Sequence, residues 1–129
     1  MATGFPASTG NVLSAAMYNG LTSFSVGAAK TADYTAVSAD QFQALQVMNK
    51  ATAIAFQIPT DANVAFPVGT VITVLNIGIG TCTISAVTSG TTTVLSAGAV
   101  AAAPTLGQYK SAACIKTGTD AWYIVGAVA

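Results

Sequence analysis

The sequence has no histidine, no glutamate and no arginine, and only 6% of its 129 residues carry a charge. Four lysines and four aspartates give a formal net charge of zero. Because this composition provides no basic surface, we expect no nucleic-acid partner held through its phosphates. General acid–base catalysis near neutral pH usually relies on histidine, a tuned carboxylate or lysine, so an enzyme is the least supported class of function.

Cysteine is also scarce, with Cys82 and Cys114 the two in the chain. There is no Cys-x-x-Cys pair and no histidine to join them, so we expect no metal and no cofactor. Neither thiol lies in sequence near a base other than Lys116, and both cysteines are expected to be small core residues. A disulfide between adjacent strands is the alternative.

The stretch 63–87 is uncharged and at first resembles a membrane span. It contains Pro67, Gly69, Gly78 and Gly80, which interrupt the roughly 20 apolar residues that a spanning helix needs. It predicts two strands, "TVITVLNI" and "TCTISAV", paired as a hairpin or a similar pair. The Gly78-x-Gly80 motif lacks a third glycine and a following helix, so it predicts a turn instead of a dinucleotide site.

Seven segments have the short length, the β-branched content and the flanking turn residues of strands. They are 43–49, 53–59, 70–77, 81–87, 91–96, 109–117 and 121–128. This pattern predicts an all-β fold, an antiparallel β-sandwich or small barrel of about seven strands. The core is predicted to contain Ile54, Phe56, Ile58, Trp122 and Ile124. "TGTD" at 117–120 predicts a hairpin turn, and the Ala-rich stretch 96–107 predicts a loop.

The four aspartates, Asp33, Asp40, Asp61 and Asp120, are far apart in sequence, and we expect each to have a structural role. A hydrolase that uses two aspartates about 5–10 Å apart is the enzymatic alternative. Tyrosines such as Tyr109 and Tyr123 are able to stack on a sugar, although aromatic residues on strands more often belong to a core or an interface.

Residues 1–31 differ from the rest and predict an extended or short-helical N-terminal arm, followed by a β-domain at 32–129. Within "LSAAMYNGLTSF" (13–24), apolar residues recur every three or four positions, as on one face of a helix. The arm either packs on its own domain or attaches to a neighbouring protein. The residues predicted to make that attachment are Val12, Leu13, Met17, Leu21 and Phe24. The start of the chain lacks the basic and apolar segments of a secretory signal, so we expect a cytoplasmic site of synthesis.

Two segments, 31–84 and 107–129, resemble a small β-rich module of bacteriophage virion proteins, found at the ends of tail fibres and in minor structural proteins. The matching residues are Tyr34, Asp40, Met48, Asn49, Ile58, Pro59, "FPVGT" (66–70), Ile72, Val74, Gly78, Gly80, Ile115, Lys116, Asp120, Trp122 and Gly126. The arm segment "GNVLSAAMYNGL" (10–21) resembles segments near the start of such fibre and decoration proteins.

The resemblance implies a virion structural protein, assembled in the host cytoplasm. Arm and module are joined without a shaft, which favours a capsid decoration or cement protein that stabilises the head shell. Its expected partners are further copies of itself, with a homotrimer as the first model, and the major capsid protein, with no membrane involved. The alternative is a short tail fibre or receptor-binding tip that recognises a cell-surface glycan.

Overall fold

The computed structural model describes residues 26–42, 45–96 and 103–128. These residues form nine strands and one short 3₁₀ helix, Ser38–Phe42. The strands are β1 (Tyr34–Thr35), β2 (Leu45–Met48), β3 (Ile54–Ile58), β4 (Val71–Asn76), β5 (Cys82–Ala86), β6 (Thr93–Ser96), β7 (Thr105–Leu106), β8 (Lys110–Gly118) and β9 (Ala121–Gly126). The described part of the chain is therefore mostly β, as predicted.

The strands form where buried and half-exposed residues alternate. In β3, Ile54, Phe56 and Ile58 are buried while Ala55 and Gln57 are only partly covered. This is the period of two that places successive side chains on opposite faces of a sheet. Each of the seven predicted segments overlaps one of these strands. The two-residue strands β1 and β7 are too short to show such a pattern in the sequence.

The chain passes back and forth between two sheets. Consecutive strands from β1 to β8 lie in alternate sheets, one with the order β1-β3-β5-β7 and the other with the order β2-β4-β8-β9-β6. Strands two apart along the chain become neighbours, so β1 pairs with β3, β3 with β5 and β2 with β4, all in parallel. Parallel neighbours need a crossover connection. Here each crossover between two parallel neighbours includes the intervening strand of the chain, which lies in the opposite sheet.

This topology corrects the predicted antiparallel arrangement. β6 also pairs with β9 in parallel, while β4 with β8, β5 with β7 and β8 with β9 are antiparallel. Both sheets are thus mixed, and neither closes into a barrel within the described ranges. The predicted pairing of 70–77 with 81–87 is wrong, because β4 and β5 belong to different sheets. The hairpin turn at 117–120 is confirmed by the β8–β9 pair.

Both sheets contribute to one hydrophobic core. The five predicted core residues all belong to it, and none is more than 2% exposed. The ring of Phe66 packs edge to face on the indole of Trp122, with ring centroids 5.6 Å apart. Aromatic pairs in this geometry contribute about 0.5–1.5 kcal/mol beyond the area that they bury. The long loop between β3 and β4 is therefore anchored in the core through Phe66.

The "FPVGT" segment (66–70) forms a turn at the start of β4. The amide and the hydroxyl of Thr70 both donate to the carbonyl oxygen of Pro67, at 3.1 and 2.6 Å. Gly69 has a φ of 93°, the positive value that the third position of a type II turn requires. β4 begins at the next residue after Thr70, so this turn directs the chain into the buried strand.

The "GIG" motif is a place where two backbone turns stack closely. A Cβ built on Gly80 would overlap the carbonyl group of Thr52, and one on Gly78 would overlap the backbone of Lys50. The Gly80 amide donates to the Lys50 carbonyl at 2.9 Å. The side-chain amide of the buried Asn76 donates to the Gly80 carbonyl at 2.9 Å. The glycines are therefore needed for close packing of the two turns, in agreement with the predicted structural role.

Residues ahead of β1 extend the five-stranded sheet. Val26 and Lys30 form parallel bridges with Leu45 and Met48 at the outer edge of β2. The division into an arm at 1–31 and a domain at 32–129 stays a prediction. No helix within the described ranges is long and apolar enough to cross a bilayer.

Candidate functional site

The five residues predicted to attach the arm to a partner lie outside the described residues: Val12, Leu13, Met17, Leu21 and Phe24. The chain enters the described part at Val26, whose bridge with Leu45 places it at the β2 edge of the five-stranded sheet. The described part of the chain therefore begins at that edge of the sheet.

The five-stranded sheet has a second side, which points away from the core. Cross-strand pairing places neighbouring side chains of adjacent strands in two lines on this side. One line is Leu95, Tyr123, Ile115 and Val71, and the other is Val125, Ala113, Thr73 and Leu45. We call these eight residues the outer face.

The outer face is uncharged and partly open to solvent. Val125 is 58% exposed, Tyr123 is 48% exposed and Val71 is 46% exposed. All eight charged residues of the chain lie elsewhere, including Lys116, which is on β8 but points into the core opposite Trp122. Continuous apolar surface of this kind is a common mark of an interaction site.

A buried ion pair lies on the other side of the same sheet. The Lys116 ammonium is 2.7 Å from Asp61 Oδ1, and the Lys116 side chain is only 2% exposed. The ammonium also donates to the carbonyl oxygen of Phe66. An unpaired buried charge would cost several kcal/mol. The pair therefore fastens the β3–β4 loop, which carries Asp61 and Phe66, to the middle of the sheet.

Two of the four aspartates, Asp61 and Asp120, meet at this point although they are far apart in sequence. Asp120 Oδ1 accepts from the amide of Asp61 at 2.8 Å and from the hydroxyl of Thr92 at 3.1 Å. Asp120 thus connects the β8–β9 turn, where its φ is 49°, to two other segments. Each carboxylate is engaged by neighbouring donors, which is the structural role predicted for them.

A second polar cluster surrounds the buried Asp40. Tyr34 Oη and the amide of Val37 donate to Asp40 Oδ2 at 2.7 and 2.9 Å, and Gln46 Nε2 donates to Oδ1 at 3.3 Å. Lys30 Nζ lies 4.6 Å from the centroid of the Tyr34 ring and donates to Gln46. Burial and the hydrogen bond to Asp40 raise the pKa of Tyr34 to about 12. The cluster fixes the 3₁₀ helix against β1 and β2.

The two cysteines are free and buried, as predicted for core residues. Cys82 is on β5 and Cys114 is on β8, in different sheets, so a disulfide between adjacent strands does not form. Burial raises the pKa of Cys82 to about 11 and raises that of Cys114 further. Lys116 follows Cys114 on the same side of β8, but its ammonium is bound to Asp61. Neither thiol is activated as a nucleophile.

Two shallow clefts lie on the described surface. One, of about 290 Å³, is lined by small and hydroxyl side chains between β5 and β6, including Ser85, Ser89 and Thr92. The other, of about 360 Å³, lies against β9 and is lined by Tyr123, Val125 and neighbouring residues. No aspartate lines either cleft. The described residues contain no group of three or more potential metal ligands.

The burial of Lys116 is a feature that was not predicted from the sequence. Its signal was present, because Ala112, Cys114 and Lys116 alternate along β8 and all fall on the buried side. A lysine in phase with two buried residues predicts an inward position that needs a carboxylate. The identity of that carboxylate, 55 residues away, has no local signal.

No family model, no curated protein and no solved structure matches the chain.

Proposed function

We propose that this chain is a structural protein of a bacteriophage virion, a capsid decoration or cement protein that binds and stabilises the head shell. The observation that carries the proposal is the resemblance of 31–84 and 107–129 to a virion module. Its matching residues have structural places in the fold: Gly69 and Gly80 in tight turns, Lys116 and Asp120 in buried polar contacts. This favours a role in adhesion over one in chemistry.

The proposed mechanism is repeated apolar adhesion. The arm, with Leu13, Met17, Leu21 and Phe24 on one side, docks between capsid subunits, while the β-domain packs against other copies, with a trimer as the first model. Burying apolar surface contributes about 25 cal/mol per Å². A protein that binds only the assembled shell stabilises it by mass action.

The location is tested by gold-label electron microscopy of intact particles, with an antibody raised against the folded protein. We expect label distributed over the heads. Label confined to the tails would overturn the decoration proposal, and particles without label would overturn a virion role altogether.

The arm is tested by deleting residues 1–24 and measuring co-sedimentation with purified shells. We expect the truncated chain to keep the thermal unfolding transition of the full chain and to lose shell binding. Deletion of residues 1–9, upstream of the amphipathic segment, is the matched control and should leave binding intact. Full binding by the longer deletion would refute the role of the arm.

A receptor-binding tip is the second candidate, and Tyr109 favours it. This tyrosine is 75% exposed and has a φ of 63°, a conformation that bulky residues rarely adopt and that recurs at functional sites. A glycan array would test the full chain beside a Tyr109→Asn variant, since asparagine tolerates positive φ. Saturable binding that the variant loses would favour the tip, and an array without hits would remove it.

A further inference from the structure

We propose that the outer face of the five-stranded sheet is the surface on which a second copy of the chain packs. The inference rests on the self-association included in the proposed function, but a two-fold contact through this face makes a dimer, which would replace the trimer taken as the first model. The face combines three properties that suit a copy of itself: absence of charge, side chains of alternating size, and sufficient area for a reversible contact.

The absence of charge favours a second copy over other partners. In a two-fold contact the same patch lies on both molecules, so a charge near the axis would lie opposite the identical charge of the second molecule and be repelled by it. The outer face carries no charge, so two copies of it can meet without repulsion and without needing ion pairs. Nucleic acid or an anionic lipid surface would instead need lysines on the face. The four lysines of the chain all lie elsewhere.

The alternation of large and small side chains on the face also suits packing against a second copy. Large side chains, such as Tyr123 and Ile115, stand beside the small Ala113 and Thr73 in the neighbouring line. Sheets that pack face to face lie about 10 Å apart and interdigitate their side chains. Two outer faces related by a two-fold axis are able to place the large residues of one over the small residues of the other.

The size of the face predicts a weak and reversible contact. Each outward side chain covers about 4.8 Å across the strands and about 6.8 Å along them, so the eight residues of the outer face cover roughly 260 Å². This is slightly below the range of the largest apolar patches found on monomers. It is about a third of the roughly 800 Å² that each partner contributes to a standard stable interface. The self-association should therefore depend on protein concentration.

The test is sedimentation velocity on the full chain over a range of concentrations. The apparent mass of the wild-type protein should rise above the monomer mass of 12.8 kDa as the protein concentration increases. A lysine in the face would have to be buried without a partner, so Val125→Lys and Tyr123→Lys should each weaken self-association about tenfold or more. Ile79→Lys is the matched control, because Ile79 is 76% exposed in a loop away from the sheet. It should self-associate as the wild type does.

Two results would overturn the proposal. One is a wild type that stays monomeric at every soluble concentration, which would leave the face to the chain's own arm or to another protein. The other is self-association that both face variants retain. A thermal melt of each variant separates loss of contact from loss of fold. No shells are present, so failure here is independent of whether the protein binds a capsid.

Discussion

Removing one partner of the Lys116–Asp61 pair should have very unequal effects. Asp61→Ala leaves an ammonium that is 2% exposed without its counter-charge, and breaking a buried pair in this way costs about 3–5 kcal/mol. Lys116→Met leaves a carboxylate whose side chain is 22% exposed and still reaches water. It also leaves the Phe66 carbonyl without a donor, which costs about 1–3 kcal/mol. We therefore expect Asp61→Ala to be the more destabilising of the two.

The double variant separates the pair from its surroundings. With both charges gone and methionine filling the space of the lysine, no buried charge is left without a partner. We expect it to be more stable than Asp61→Ala alone, with a coupling energy of about 2 kcal/mol. The exposed Lys110, at the start of the same strand, gives the matched control, and Lys110→Met should change stability by less than about 0.5 kcal/mol.

Urea unfolding followed by tryptophan fluorescence is the assay, because Trp122 is the single tryptophan of the chain and its indole packs on Phe66. Circular dichroism on the same samples checks that unfolding is two-state. Additive effects in the double variant would show that the two charges do not interact. A smaller loss for Asp61→Ala than for Lys116→Met would refute the inference that burial of the lysine dominates.

Three further predictions follow from the fold. Gly80→Ala should lose about 1–3 kcal/mol of stability in urea, because the new methyl group overlaps the Thr52 carbonyl. Gly107→Ala, which meets only ordinary contacts, should be close to neutral, and equal losses would contradict this. Thiol titration of freshly purified protein should find both cysteines unreactive when folded and both reactive in urea; no free thiol in urea would mean a disulfide. Stability should fall as the pH rises from 9 through 11, because the Cys82 pKa is 9.0 when unfolded and about 11 when folded, so the unfolded chain releases its proton first. Tyr34, with a folded pKa of about 12, extends the loss of stability to higher pH. A urea midpoint of unfolding that does not change with pH would contradict the effects expected of Cys82 and Tyr34.

The positions of the strands could be predicted because they depend on local pattern. The alternation in "IAFQI" places Ile54, Phe56 and Ile58 on one buried face whatever lies beside the strand. The "FPVGT" turn follows from the conformational limits of Pro67 and Gly69 in the same way. The predicted attachment residues of the arm lie outside the described residues and stay predictions.

The partners of the strands could not be predicted, because a period of two gives the buried face of a strand but not its neighbour. "TVITVLNI" and "TCTISAV" look like the two arms of a hairpin, yet the turn at "GIG" sends the second into the other sheet. What makes this possible is the close stacking of Gly78 and Gly80 on a turn nearly 30 residues earlier.

The sequence by itself determined the β class, the main strands, the core residues and the near absence of charge, since each depends on composition or on neighbours a few positions apart. Only the tertiary structure decided that the sheets are mixed, that Asp61 is the carboxylate paired with Lys116, and that the outward side chains of five strands form one uncharged face. Apart from the β8–β9 hairpin, those features join residues 22 to 55 positions apart, where free energy depends on contacts in space and the chain carries no local signal of them.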